Sequence, residues 1–266
     1  MLSSSHIAFV NLDHRADRLA HMNTQLARVG ISAERVRGLL PSEVYLSVNE
    51  VRYNPRKVAV MQRRTPGAIG CHYSQVSIME KALSLRKNAW VMEDDVVFCE
   101  DFKERLKIIE DFTSENEWDV FWLGGTFHSP AWWHKIGHNQ ELPQCHCKLG
   151  RDCEPTNWDR IIRTYGAFCT YAYIVNIESL EKVLILLDGH VHLSMGIDWL
   201  FIYLQPQLKT YAFVPGSVKQ MDNQSDIVNG ITMFSGFSKL NGTEENSRYW
   251  YQEKMEDFYP LNYNWQ

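Results

Sequence analysis

The sequence predicts an α/β fold in which short strands and amphipathic helices alternate. Runs rich in β-branched and aromatic residues end at Leu12, Met92 and Leu123, and each is followed directly by an acidic residue or a glycine. Between these runs, apolar residues recur at spacings of three and four, as they do on one face of a helix. Strands that alternate with such helices are typical of layered α/β domains. The composition, 45% hydrophobic and 22% charged, is ordinary for a folded protein, and we expect a single domain over residues 1–266.

The first strand is predicted over His6–Leu12, and a helix follows it, with Asp13 standing where an N-cap would stand. Gly30 supplies the C-terminal stop of this helix. Its inward face is formed by apolar residues at helical spacing, namely Leu19, Met22, Leu26 and Val29. Residues 34–57 combine prolines with scattered arginines and predict loops with at most one short strand.

The middle of the chain repeats this pattern. Thr65-Pro66-Gly67 places a capping hydroxyl before a proline, which predicts a helix that runs to about Arg86. Asn88–Met92 predicts a buried strand that stops at an acidic run, and Trp118–Leu123 predicts a strand that ends in Gly124-Gly125. The helix between these strands is predicted to bury four apolar residues at helical spacing, namely Phe102, Leu106, Ile109 and Phe112.

The alternation of strands and helices is interrupted at residues 126–160, because Trp, His, Cys, Pro and Asn accumulate there without the period of a helix or a strand. We interpret them as an irregular Cys/His-rich insertion, and loops of this length are usually functional or disordered. A strand over Tyr171–Val175, a helix over 177–187 and a final strand over Thr210–Val214 are predicted next. Residues of about 228–266 form a polar and aromatic tail.

Charge and hydropathy exclude several classes of protein. The net charge of -5 and the pI near 6.1 leave no basic surplus, which disfavours nucleic acid as a partner. The N-terminus lacks the pattern of a secretory signal, and the apolar runs are shorter than the roughly 20 residues of a transmembrane helix, so we expect at most peripheral membrane association. Six cysteines are too few for a disulfide scaffold. We expect a cytoplasmic protein, of a bacterial cell or a virus-infected host.

Three adjacent carboxylates, Glu93-Asp94-Asp95, follow the predicted strand over Asn88–Met92. They repel one another unless a hard cation or solvent screens them, so the run predicts a divalent-cation site. Alternation along an extended chain would point Glu93 and Asp95 to one side and Asp94 to the other. The alternative is a solvated strand end in which Asp95 caps the next helix.

Two further segments could bind a ligand. Arg15 and Arg18 lie three apart on one helical face after the first strand, where they could grip a diphosphate or could simply be solvated. Gly67 and Gly70 at a helix start permit close approach of a ligand or of another backbone.

In this order, the three segments resemble the motifs of glycosyltransferase family 25, which includes lipopolysaccharide and procollagen galactosyltransferases. In that family a strand ends in Asn-Leu-x-x-Arg-x-x-Arg, a helix starts with Gly-x-Ile-Gly-Cys, and a later strand ends in Glu-Asp-Asp-Val. The chain matches these motifs with Asn11, Leu12, Arg15 and Arg18, with Gly67, Ile69, Gly70 and Cys71, and with Glu93 to Val96. The likeness extends to about residue 227 through Trp118-Asp119, Leu123-Gly124-Gly125, Ala172 to Val175, Asp198-Trp199, Gln220 and Ser225-Asp226-Ile227.

The resemblance implies a GT-A-like nucleotide-sugar-binding fold, a mixed sheet flanked by helices. It also implies inverting transfer of a hexose, galactose or glucose, from a UDP-sugar to a hydroxyl of a glycan or protein. Carried over to this sequence, the donor contacts fall on Asn11, Leu12, Arg15, Arg18, Gly67, Gly70, Ser74, Glu93, Asp94 and Gln220. Manganese is the implied cofactor, held by Asp95 and Glu93.

Two positions depart from the family pattern. An acidic residue is usual where this chain has Ala68, and a histidine is usual where it has Gln75. If these positions contact donor or acceptor, the specificity of this chain differs from that of its relatives.

An inverting displacement also needs a base opposite the leaving group to take the proton of the acceptor hydroxyl. Asp198 is the candidate for this catalytic role. Its alternative role is to cap the apolar segment from Trp199 to Leu204.

The insertion carries its own candidate site. Cysteines and histidines at this density suggest a structural zinc, with Cys145, Cys147, Cys153 and His138 as ligands. Their spacing matches no standard zinc finger, and ordinary reduced thiols are the alternative.

Two other functions remain open beside the transferase. The first is a catalytically silent module that binds a nucleotide sugar or a glycan. The second is a nucleotidyltransferase, which would need a glycine-rich loop near the N-terminus that the sequence does not contain.

Overall fold

A computed structural model describes residues 4–48, 66–127, 153–158, 160–164, 167–190, 196–213 and 216–221. The described strands are β1 Ser5–Asn11, β2 Glu34–Arg37, β3 Asn88–Glu93, β4 Val96–Phe98, β5 Val120–Phe127, β6 Cys153–Pro155, β7 Ile161–Thr164, β8 Ala167–Val175, β9 Thr210–Phe213 and β10 Val218–Gln220. The described helices are α1 Ala16–Val29, α2 Pro41–Val48, α3 Pro66–Ser84, α4 Phe102–Glu115, α5 Ile177–His190 and α6 Ile197–Leu204.

Eight of these strands form one mixed sheet in the order β2-β1-β3-β8-β5-β9-β7-β6. Strands β2, β1 and β3 are parallel, whereas β8 runs antiparallel to both of its neighbours. Strands β4 and β10 pair separately and antiparallel. Because β1, β2 and β3 are parallel, their carboxyl ends meet at one edge of the sheet, which we call the carboxyl edge.

Apolar cores cover both faces of the sheet, as the predicted α/β layering requires. Along β3, Ala89 and Val91 face the core that contains α3, α5 and α6, whereas Trp90 and Met92 face the core that contains α1 and α4. This alternation is the two-residue period of a strand, applied to a strand that is buried on both sides. The α/β class and the mixed sheet flanked by helices are therefore confirmed.

The start of α1 differs from the sequence prediction. Asp13 lies in a turn before the helix and accepts a hydrogen bond from Arg35 at 2.6 Å. The N-cap residue is Arg15, which makes no side-chain cap. The predicted end is confirmed, because Gly30 takes a left-handed conformation with φ 69° and closes the helix through its backbone N–H.

The structure contains several short elements that the sequence did not predict. Residues 34–57 contain a helix, α2, as well as the short strand β2, and β4 separates the acidic run from α4. Strand β9 is followed by β10, so the strand predicted over 210–214 is not the final one. Strand β5 does not end at Gly124-Gly125 but continues to Phe127, with register shifts on either side of Gly124.

The predicted insertion is described only at its ends. Residues 126 and 127 extend β5, and residues 153–155 form β6, which pairs with β7. Residues 128–152 and the tail of about 228–266 lie outside the described residues. Among the helices of the described ranges, none has both the length and the apolar character needed to cross a bilayer.

Candidate active site

The acidic run lies at the carboxyl edge of the sheet, beside the end of β1. Glu93 is the last residue of β3, and Asp94 and Asp95 form a turn before β4. The parallel register pairs Val10 with Glu93, so the next residue of β1, Asn11, lies against the acidic turn. The sheet thereby brings together two motifs that are far apart in the sequence.

Both carboxylate oxygens of Asp94 are occupied by partners within the protein. Oδ2 accepts a hydrogen bond from Asn11 Nδ2 at 2.7 Å, and Oδ1 accepts one from Arg18 Nη1 at 2.9 Å. The Arg18 and Asp94 side chains are only 9% and 8% exposed. The solvated alternative is therefore wrong for Arg18, whose burial requires a paired charge.

Asp95 shares the same guanidinium but keeps one oxygen unused. Its Oδ2 lies 3.3 Å from Arg18 Nη1 and accepts a hydrogen bond from Gln220 Nε2 at 3.1 Å. Burial raises the pKa of Asp95 to about 6, although the Arg18 charge opposes the rise. Its Oδ1 is buried and has no hydrogen-bond partner among the residues that the structure describes. The capping alternative is wrong, since β4 follows Asp95 and Asp101 is the N-cap residue of α4.

Glu93 points to the opposite face of the sheet, toward α3. Its Oε1 accepts a hydrogen bond from Gln75 Nε2 at 3.1 Å and lies 4.0 Å from Cys71 Sγ. Burial raises the pKa of Glu93 well above its usual range, and the charges of Asp95 and Asp198 add to the rise. The predicted alternation is wrong, because the turn after Glu93 places Asp94 and Asp95 together on Arg18.

The unpartnered Asp95 oxygen decides whether a divalent cation suits this site. Within the described ranges, no group of three His, Cys, Asp or Glu side chains is arranged to hold a metal ion. Magnesium-type ions are nevertheless bound through one or two carboxylates together with substrate phosphates. A buried carboxylate oxygen without a partner, as in Asp95, fits this mode of binding.

The remaining residues of the first motif serve the turn between β1 and α1. Arg15 donates to both oxygens of Asp17, at 3.0 and 2.8 Å, and this lowers the pKa of that exposed carboxyl. The Leu12 carbonyl accepts a hydrogen bond from the Arg15 backbone at 2.9 Å. The Leu12 side chain packs against Gly38, where an added Cβ would come within 3.0 Å of it.

Gly70 and Ser74 hold the segment after β2 against α3. A Cβ at Gly70 would lie 2.1 Å from the Leu39 carbonyl oxygen, so only glycine fits there. Ser74 Oγ donates to the Gly70 carbonyl at 2.6 Å and accepts from the Leu39 backbone at 2.8 Å. The close approach predicted for the glycine motif is thus an approach of backbone at Gly70. Gly67 lies in the first turn of the same helix.

Asp198 joins the acidic cluster from α6. It lies in the first turn of that helix, whose N-cap residue is Gly196, so Asp198 is not the cap. Its charge contributes to the raised pKa of Glu93 and of Cys71. A Cβ at Gly196 would lie 2.7 Å from Asp198 Oδ1 and 3.9 Å from the Ala68 methyl group.

Comparison with known proteins agrees with these motifs. A family model described as "Glycosyltransferase family 25 (LPS biosynthesis protein)" matches residues 4–198, a range that includes β1, the acidic run and Asp198. The chain belongs to glycosyltransferase family 25.

Two mosquito proteins, each named "Glycosyltransferase 25 family member", are similar to part of this family 25 chain. The Aedes aegypti protein is 30% identical over 127 residues, which cover 45% of this chain and 21% of that protein. The Anopheles gambiae protein is 29% identical over 130 residues, which cover 46% of this chain and 22% of that protein. Each match therefore spans about a fifth of the relative's length.

Sequence reasoning missed a buried polar network in this family 25 site. Gln75, noted only as a departure from the family pattern, is fully buried and bonds Glu93, Thr170 and Tyr173. An amide directly before Val76 on the buried face of a helix was the available signal. Ala68, the other departure, lies beside Gly196, where an added Cβ would be 3.9 Å from the Ala68 methyl group.

The zinc candidates fall largely outside the described residues. His138, Cys145 and Cys147 are not described, and Cys153 is described only as the first residue of β6. The zinc site stays a prediction.

Proposed function

We propose that this chain is a metal-assisted hexosyltransferase that moves galactose or glucose from a UDP-sugar to a hydroxyl of a glycan or protein, with inversion. The family supports transferase chemistry, and the mixed sheet supports a single GT-A-like domain. One observation carries the proposal. Four carboxylates in distinct environments meet at the carboxyl edge, namely Glu93, Asp94, Asp95 and Asp198.

The donor would bind at the carboxyl edge, where ligands commonly bind in α/β sheets. Asp95 Oδ1, with Glu93 nearby, would hold manganese together with the diphosphate oxygens of the donor. When bound, the divalent cation stabilises the negative charge that develops on the leaving diphosphate. Arg18 offsets the charge of Asp94 and Asp95, and thereby keeps two acids beside each other in a buried site.

Asp198 would act as the general base. It takes the proton of the acceptor hydroxyl while the acceptor oxygen forms a bond to C1 of the sugar. The bond from C1 to the diphosphate oxygen breaks, and its electron pair leaves with UDP. The first turn of α6 favours a negatively charged carboxylate at this position.

The test is UDP release by the purified chain from a panel of UDP-hexoses, with manganese and with excess chelator. We expect turnover with UDP-galactose or UDP-glucose, and we expect it to depend on the cation. Asp95→Asn should remove most of this turnover, because the substitution replaces an anionic oxygen ligand with a neutral one. Undiminished transfer in chelator, with metal content confirmed as negligible, would contradict the metal-assisted mechanism. Absence of turnover with every UDP-sugar would favour the silent binding module.

We also propose that the insertion binds a structural zinc through some of Cys145, Cys147, Cys153 and His138. Elemental analysis of protein purified without chelator should find about one zinc per chain. Zinc-free protein would leave these residues as ordinary thiols and a histidine.

A further inference from the structure

A chain of buried hydrogen bonds converges on Gln75, a neutral residue that the transfer reaction does not itself require. Gln75 lies on α3 and is fully buried. Its Nε2 donates to Glu93 Oε1 at 3.1 Å and to Thr170 Oγ1 at 3.3 Å, and lies 3.4 Å from Cys71 Sγ. Its Oε1 accepts a hydrogen bond from the Tyr173 hydroxyl at 2.9 Å. Both ends of one amide are therefore engaged.

Tyr173 holds the end of the amide that points away from Glu93. Its hydroxyl is buried on β8, and it donates to Gln75 Oε1. While Glu93 is ionised, a flipped amide would place the carbonyl oxygen of Gln75 against an oxygen of Glu93, and two acceptors would face each other without a proton between them. The strand and the helix therefore hold the amide with its N–H groups toward the acidic site.

Glu93 needs such support because its surroundings are acidic. Asp95 and Asp198 lie close enough for their charges to act on it, and like charges at this distance repel. A neutral amide donor holds one oxygen of Glu93 without adding a charge. The bond engages one of the two carboxylate oxygens, Oε1.

We propose that Gln75 is a positioning residue, which fixes the Glu93 carboxyl at the carboxyl edge beside Asp198 and Asp95 and is itself oriented by Tyr173. This inference rests on the proposed function, because Glu93 affects turnover only if the acidic cluster is where the sugar is transferred. Gln75 makes no described contact with Asn11, Arg18 or Gln220, so its loss should affect turnover more than donor binding.

The first test is steady-state kinetics of Gln75→Leu, which removes the amide but keeps a similar volume. We expect kcat to fall about 10- to 100-fold, because a small misplacement of a group beside the reacting atoms is that costly. We expect KM for the UDP-sugar to change less than kcat, since the predicted donor contacts of Asn11, Arg18 and Gln220 remain. A kcat close to that of the wild type would overturn the inference.

Three further variants separate positioning from stability. Tyr173→Phe should also lower kcat, but by less than Gln75→Leu does. The double variant should be no slower than Gln75→Leu, because both residues act through one contact.

Gln205 offers a matched control, since it is also fully buried and bonds the backbone of Ala167 at 2.7 and 2.6 Å. Gln205→Leu should lower the melting temperature and leave kcat within about twofold. An equal loss of kcat in Gln205→Leu would overturn the inference.

A readout independent of turnover is hydrogen exchange of the Gln75 side-chain amide, followed by NMR. In the wild type we expect these protons to exchange far more slowly than those of the exposed Gln207, and to exchange faster in Tyr173→Phe. Exchange as fast as in Gln207 would overturn the inference. A wild-type chain without turnover would overturn the proposed function instead, and the exchange rates would then still show whether Tyr173 holds the Gln75 amide in place.

Discussion

At the scale of single residues, the three acids of the run have different tasks. Each oxygen of Asp94 already accepts a hydrogen bond, one from Asn11 and one from Arg18. Asp95 keeps a buried oxygen without a described partner. We therefore interpret Asp94 as the acid that anchors the site and Asp95 as the acid that is available to a cation.

The buried ion pair makes a testable stability prediction. Arg18→Met would leave Asp94 and Asp95 buried without their cation, and breaking such a pair costs about 3–5 kcal/mol of unfolding free energy. Arg15→Met, at the N-cap of the same helix, is the matched control, because its partner Asp17 is exposed and such pairs contribute little. Urea unfolding of both variants measures the difference. Similar losses in the two variants would contradict the structural role of Arg18.

At the scale of elements, the sequence predicted those with a long apolar period and missed the short ones. The helices α1, α3, α4 and α5 each carry an apolar stripe that recurs over several turns, and β1 and β3 are long enough to show their character. Strands β4 and β10 have three residues each, and their partners are far apart in the chain, as Val218 and Phe98 show. A three-residue segment has no measurable period, so only the folded chain reveals the pairing.

The close crossing of β10 over β5 gives a prediction at the same scale. A Cβ at Gly124 would lie 1.9 Å from the Val218 carbonyl oxygen, so Gly124→Ala must displace β10. We expect a loss of about 1–3 kcal/mol of unfolding free energy, as for overpacked cores. Activity should fall as well, because β10 carries Gln220 to Asp95.

Thermal melting and turnover check both effects. Gly38→Ala is a suitable control, since the atoms nearest to its added methyl group belong to the side chains of Leu12 and Val10, at 3.0 and 3.3 Å, and not to the backbone. If Gly124→Ala were as stable and as active as Gly38→Ala, the close crossing would play no part in holding the site.

At the scale of the whole molecule, the site exists only because the sheet gathers distant segments. Asn11 from β1, Glu93 from β3, Asp198 from α6 and Gln220 from β10 meet at the carboxyl edge. The sequence motifs and the family resemblance located these residues, although they could not show how the residues contact one another. The hydrogen bond between Arg18 and Asp94 joins residues that are 76 positions apart, and its geometry depends on the register of β1 against β3.

The measurement that tests the central claim most directly is kcat of Asp198→Asn, taken beside its UDP affinity and its melting temperature. If a sugar is transferred at the acidic cluster with Asp198 as the base, kcat should fall about 10²–10⁴-fold while UDP affinity and melting temperature stay close to those of the wild type. A kcat near the wild-type value would contradict the claim and assign the base to another residue.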